Sequence, residues 1–380
     1  MIHPLNKRNG TLELWRFLFS LYILLFHIEK NFFHQRIDGI RLNLSLCPHG
    51  AIGVEFFFLL TGIFLAQSAR KEPAAPASAD DLGRSTLRYL GKKCKGVFPC
   101  HLIAFAIIFI VTVWSERMKW LAAARLLIDS LPDVLLVQWS GIPSANLNGV
   151  EWYLSVMLIS SAVIYPLCRR YASVFSKVAA PVAGCMIIGY LGQKYGRLTE
   201  VNLWDGLFYK SMLRGFAEIL LGVFICEICM DYLTPLRGRL RRRTKVLLTL
   251  TEWGAYGYAT LFSFVTFPWE GEFVTLMAIM LAVTLSYSGL TYTAALFNRP
   301  FVYFLGRCSL AIYLSQKSAL ILVHSLTERS AIASDRMTLM LATLAATAFF
   351  TAVTMIGGKL LGKLLFKDNR PASTRPVISA

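Results

Sequence analysis

Charge is scarce in this chain. Asp, Glu, Lys and Arg make up only 16% of its 380 residues, against 56% hydrophobic ones, and the mean hydropathy is +0.54. So little polar surface cannot cover a soluble domain. Cysteine lacks a usable pattern: eight residues are scattered, only Cys47 falls in an outer loop, and Cys226 and Cys229 lie in an apolar run. Neither a disulfide framework nor a metal site is expected. There is no internal repeat and no soluble segment large enough to fold alone. The first apolar run is flanked by Lys7 and Arg8 and lacks a small-residue cleavage pattern after it, so it reads as a retained helix and not a signal peptide.

What is present is a series of apolar runs of bilayer length. Windows of ~19 residues place ten spans, at 12–33, 50–69, 98–116, 150–168, 173–192, 207–229, 246–266, 273–290, 301–325 and 338–361. The expected fold is all-α, a polytopic integral membrane bundle of about ten transmembrane helices. It forms one domain over 1–366, followed by a disordered cytoplasmic tail over 367–380.

The formal net charge of +17 has a position. Cations gather at the N-terminus, in Arg70–Lys95, in Arg237–Lys245 and after the last span, whereas the alternate segments hold few, and 267–272 brings Glu270 and Glu272 without a cation. The positive-inside rule then puts both termini in the cytoplasm of a cell membrane. The basicity serves topology and anionic lipid, so nucleic acid is not expected as a partner. The two inner basic segments could also dock an anionic cytosolic ligand such as a nucleotide-bearing acyl donor. The GIPSANLNG stretch before Glu151, and 267–272, could border an acceptor site.

Ionisable residues in lipid are expensive and tend to line cavities or pathways. Arg16 and His27 are eleven positions apart in the first span, a spacing that returns them to one helix face about 16 Å apart. By the alternating topology His27, His49, Glu55 and Glu151 all lie toward the outer side. Lys210, Arg214 and Glu218 form a stripe in the sixth span, and Tyr313, Gln316 and His324 share a face of the ninth. Five spans thus bring polar groups into the outer half of the bundle.

These residues resemble a known family. Arg16-x10-His27, Gly53-Val54-Glu55-Phe56-Phe57-Phe58-Leu59-Leu60-Thr61-Gly62, Trp152-Tyr153-Leu154-Ser155, Arg214-Gly215-Phe216-Ala217-Glu218 and Leu305-Gly306-Arg307 through Leu314 are similar, in order, to the motifs of the acyltransferase-3 family. The resemblance implies a bacterial membrane O-acyltransferase. It would take an acyl group, usually acetyl from cytosolic acetyl-CoA as co-substrate, to a hydroxyl of a cell-surface or exported polysaccharide or a glycolipid. Thr61 stands where serine is common, and Gln316 where many members carry histidine.

The chemistry of the residues agrees. Histidine is the side chain best suited to take a hydroxyl proton at neutral pH, so His27 is the expected base or acyl relay. Glu55 and Glu151 could orient the imidazole or the sugar. Arg16 could hold the donor's pantetheine or phosphate portion, with Arg214, Glu218 and Tyr313 as a supporting polar network. A transporter or flippase of an envelope sugar would also use many helices and a charged cavity, but would more often show repeated halves.

Overall fold

The computed structural model describes residues 8–33, 46–72, 76, 78–265 and 271–366. Glu270 and the expected tail at 367–380 lie outside them. Ten long helices account for the ten apolar runs: α1 (Gly10–Ile28), α2 (Gly53–Lys71), α3 (Ala79–Ser115), α4 (Trp152–Arg170), α5 (Ala180–Tyr195), α6 (Lys210–Ile228), α7 (Arg242–Phe264), α8 (Gly271–Ser288), α9 (Pro300–Glu328) and α10 (Arg336–Leu365). Among the described residues strand is confined to a two-stranded antiparallel hairpin, Trp204–Asp205 with Phe208–Tyr209. Among the described residues eight helices are long and apolar enough to cross a bilayer by themselves. The exceptions are α7 and α9, long enough but more polar. In α9 the polar residues Ser309, Ser315, Gln316 and Ser318 turn inward, where other helices and not lipid receive them.

Local chemistry sets the helix starts. The Asn9 side chain accepts from Thr11 N and Leu12 N at 3.0 and 3.3 Å, Ser78 caps α3 ahead of Asp80 and Asp81, and Asp335 caps α10 through Thr338 N at 3.0 Å. Each satisfies backbone donors that a helix start leaves open. Large apolar side chains such as Ile110, Met186, Met277, Phe349 and Ile356 point outward, as a lipid-facing surface requires.

Two helix groups matter for the site. In one, α2 and α6 approach closely at Gly62 and Gly222: a Cβ on Gly62 would overlap the Ile219 carbonyl, and one on Gly222 the Leu59 carbonyl. Small residues at membrane helix interfaces allow this approach. In the other, α1 and α9 run parallel, with Glu13 against Gly306 near their starts and Phe32 beside His324 at their far ends. Together with α3 and α10 they surround a cavity.

Two expectations change. α3 begins at Ala79, not near 98, because its amphipathic first half is too polar for a hydropathy window yet is held against α4 by stacking of Tyr89 on Tyr165, with centroids 4.2 Å apart. The segment after α3 is not a plain outer loop. Its first part is a fully unburied amphipathic helix, Trp120–Asp129, whereas Ser130, Asp133, Leu136, Gln138, Trp139 and Asn148 are buried in the bundle.

Candidate active site

A polar layer crosses the middle of the bundle. From α2, Glu55 meets Arg214 of α6, with Nη2–Oε1 at 2.5 Å and Nε–Oε2 at 3.2 Å, and the same Nε reaches Glu218 Oε1 at 3.0 Å. All three residues are buried. The Arg214 guanidinium also lies over the Trp152 ring, 5.9 Å from its centroid. Two carboxylates around one guanidinium satisfy a planar fork that would otherwise be costly in this interior. The stripe expected on α6 is therefore real for Arg214 and Glu218. Lys210 turns elsewhere, donating to Thr199 O at 2.5 Å over the Tyr195 ring.

Glu151 occupies the same layer through residues that the sequence reading did not single out. Its Oε1 lies 3.1 Å from His101 Nδ1 and accepts from Asn148 Nδ2 at 2.8 Å. The other His101 nitrogen, Nε2, faces Val134 O at 3.1 Å, and Tyr313 donates its hydroxyl to Val150 O. Because a carbonyl only accepts, Nε2 carries a proton. Sequence depth places Glu151 at the outer boundary and His101 near the inner one. The structure joins them because the 130–150 segment enters the bundle and brings the start of α4 against α3. The available signal was a histidine within the 98–116 apolar run. In the same segment burial raises the Asp133 carboxyl above its usual range.

Further polar contacts link the layer to α2. Thr61 Oγ1 and the Tyr153 hydroxyl are 3.1 Å apart, and both donate to Phe57 O, at 2.9 and 3.2 Å. The Tyr153 and Tyr313 rings meet edge to face. Gln316 donates to Tyr313 O at 3.0 Å, while its Oε1 is buried without a partner.

His27 stands apart from this layer. Phe19 packs on Phe56 with centroids 5.0 Å apart, which puts Glu55 near the level of residue 19 and His27 about 12 Å further along α1. His27 is half-buried, its ring meets Phe26 edge on, and Lys30 and Lys317 act on it electrostatically. Among the described residues neither Glu55 nor Glu151 hydrogen-bonds it; these acids are held by Arg214 and His101. His49 packs on Phe262. His324 pairs with Glu328 at 3.2 Å and is half exposed, away from the layer.

Arg16 is half-buried, 3.4 Å from Glu13 Oε2, on the wall of a cavity of about 990 Å³. α1, α3, α9 and α10 enclose it at the end of the bundle where α1 starts and α10 ends. Arg8, Arg16, Lys95, Arg307, Lys359 and Lys363 supply six cations, and Pro99, Leu310, Ala311 and Met355 an apolar wall. Cys100 and Ala311 reach its inner end, one residue from His101 and two from Tyr313. Four helices contribute, so no local motif reveals this convergence. A cationic mouth leading to an apolar throat suits a ligand with a polyanionic head and an uncharged tail.

Comparison with known proteins identifies the family. "Acyltransferase MdmB" from Streptomyces mycarofaciens is 30% identical over 156 residues, an alignment that covers 40% of this chain and only 37% of that protein. No solved structure matches. The acyltransferase-3 family model, described as an acyltransferase domain, matches residues 9–359, nearly the whole helical bundle, and the chain belongs to that family.

Proposed function

We propose that this protein is a membrane O-acyltransferase, moving acetyl from acetyl-CoA to a hydroxyl of a cell-surface or exported polysaccharide. The observation that carries the reading is the cavity beside Arg16. Its six cations match the phosphates of coenzyme A, and its apolar wall matches the uncharged pantetheine arm. Arg16 and His27 share one face of α1, so a thioester entering past Arg16 advances toward the imidazole. His27 serves as the base for the acceptor hydroxyl or as a transient acyl carrier. The Glu151–His101 and Glu55–Arg214–Glu218 clusters lie, by the Phe19–Phe56 contact, at a depth between those of Arg16 and His27. The concentration of Lys and Arg at Arg70–Lys95 and Arg237–Lys245 supports a cell membrane location with both termini and the donor cavity on the cytoplasmic side. The polysaccharide acceptor rests on the family resemblance.

The test uses purified protein in lipid nanodiscs, acetyl-CoA and the envelope glycan fraction of the host. Free thiol release that requires the glycan, with acetyl recovered as an ester, is the expected result. A transporter or flippase would bind or move glycan without consuming acetyl-CoA. Activity retained in His27→Ala would remove the imidazole from the mechanism.

A further inference from the structure

Lys317 lies in the later half of α9, within the apolar run 301–325. The charged groups of the polar layer are partnered: Arg214 with Glu55 and Glu218, and Glu151 with His101. Among the described residues, no acid pairs with Lys317 or Lys30. An uncompensated ammonium within a span costs several kcal/mol.

Its position is informative. The parallel register of α1 and α9, fixed by Glu13 against Gly306 and Phe32 against His324, sets Lys317 level with residue 24, about one helical turn below His27. Leu310 lines the cavity, and Lys317, seven residues later, returns to that face about 10 Å further along. Arg16 and His27 have the same relation on α1. Both helices thus carry a stripe from the cavity wall to about one depth, which brings the His27 imidazole and the Lys317 ammonium to the same level. Lys30 and Lys317 both act electrostatically on His27, so a negative charge arriving beside the imidazole would be compensated.

We propose that Lys317 is a catalytic residue whose ammonium stabilises the oxyanion of acyl transfer, an inference that rests on the acyltransferase reading above. The acceptor hydroxyl oxygen forms its bond to the thioester carbonyl carbon as His27 takes the hydroxyl proton. The carbonyl π electrons move to oxygen, which becomes an anion facing Lys317 Nζ. Collapse restores the carbonyl and breaks the carbon–sulfur bond, and the departing thiolate takes the proton back from His27. Charge is balanced throughout, and Lys317 gains its counter-ion only in the intermediate, where stabilisation lowers the barrier.

Lys317→Met and Lys317→Arg are assayed in nanodiscs with acetyl-CoA and the envelope glycan fraction, with CoA affinity by calorimetry and unfolding temperature alongside. Lys317→Met should lower kcat about 100-fold or more, leave CoA affinity within about twofold, and unfold no earlier than wild type, because it removes a charge that folding does not compensate. Lys317→Arg should recover at least about tenfold of the lost rate. Three results would overturn the inference: a Lys317→Met rate near wild type, a rate loss that tracks a lowered unfolding temperature, or an effect confined to the acceptor KM. The last would mark Lys317 as a binder of an anionic acceptor group. Absence of acetyl-CoA turnover by wild type would instead refute the proposed acetyl-CoA-to-glycan transfer, and the inference would fall with it.

Discussion

Arg214 is the residue whose loss the structure penalises most clearly. It is 1% exposed and is flanked by Glu55 and Glu218, both at 0%, so with all three ionised the cluster carries a net charge of −1. Replacing Arg214 by Met leaves two carboxylates facing each other without a cation. At about 3 Å and an effective dielectric of ~20, each lost attraction is on the order of 5 kcal/mol before desolvation is subtracted. Breaking buried pairs by removing one partner typically costs about 3–5 kcal/mol, and that is the expected loss. Glu55→Gln should be far milder, about 0–1 kcal/mol, since the amide oxygen still accepts from the guanidinium and a neutral Arg214–Glu218 pair remains. Adding Glu55→Gln to Arg214→Met should recover part of the loss, because one carboxylate alone can be relieved by a proton. Thermal unfolding followed by size-exclusion of detergent-solubilised protein reads this order. Equal destabilisation by the two single variants, or a wild-type-like Arg214→Met, would refute the reasoning. The same variants bear on chemistry: Glu55→Gln should keep CoA affinity and slow transfer. A full transfer rate would leave Glu55 with a counter-ion role only.

Other expectations follow from particular contacts. Arg16→Ala and Arg307→Ala should each weaken CoA binding about tenfold, the scale of one charge-assisted hydrogen bond, yet barely change binding of pantetheine, which lacks phosphates; calorimetry with both ligands distinguishes the two. His101→Leu leaves the Glu151 carboxylate buried beside an apolar neighbour and should cost about 2–4 kcal/mol of stability, less when Glu151→Gln is added, as measured by thermal unfolding. Gly62→Val drives a side chain into the Ile219 carbonyl and should cost about 1–3 kcal/mol or more, whereas Gly83→Ala, with open space around its Cβ position, should be neutral or slightly stabilising. In a cysteine-free background of intact cells, a cysteine at Gly271 should react with an impermeant maleimide and one at Ser78 should not. The reverse pattern would invert the topology and move the donor cavity to the wrong side.

The sequence by itself determined what depends on composition and on one helix at a time. Ten apolar runs became ten long helices, because hydrocarbon accepts only segments that satisfy their own backbone. Arg16 and His27 could be read as one face, and Arg214 with Glu218 as one stripe, because helical periodicity is local. The tertiary structure decided which helices share a cavity and where each polar group finds its partner. Arg214 takes Glu55 from a helix 159 positions away, and Glu151 takes His101 across the 130–150 segment. That segment is held against the bundle where Asn148 donates to Leu314 O of α9 and His101 of α3 meets Val134 O. The basic cavity draws its six cations from Arg8 and from α1, α3, α9 and α10, each of which alone reads as an ordinary membrane-flanking cation. Hydropathy and spacing carry depth along a helix but not rotation between helices, and the rotation, fixed by close approaches such as Gly306 on Glu13 and Gly358 on Cys100, turns separate cations into one site.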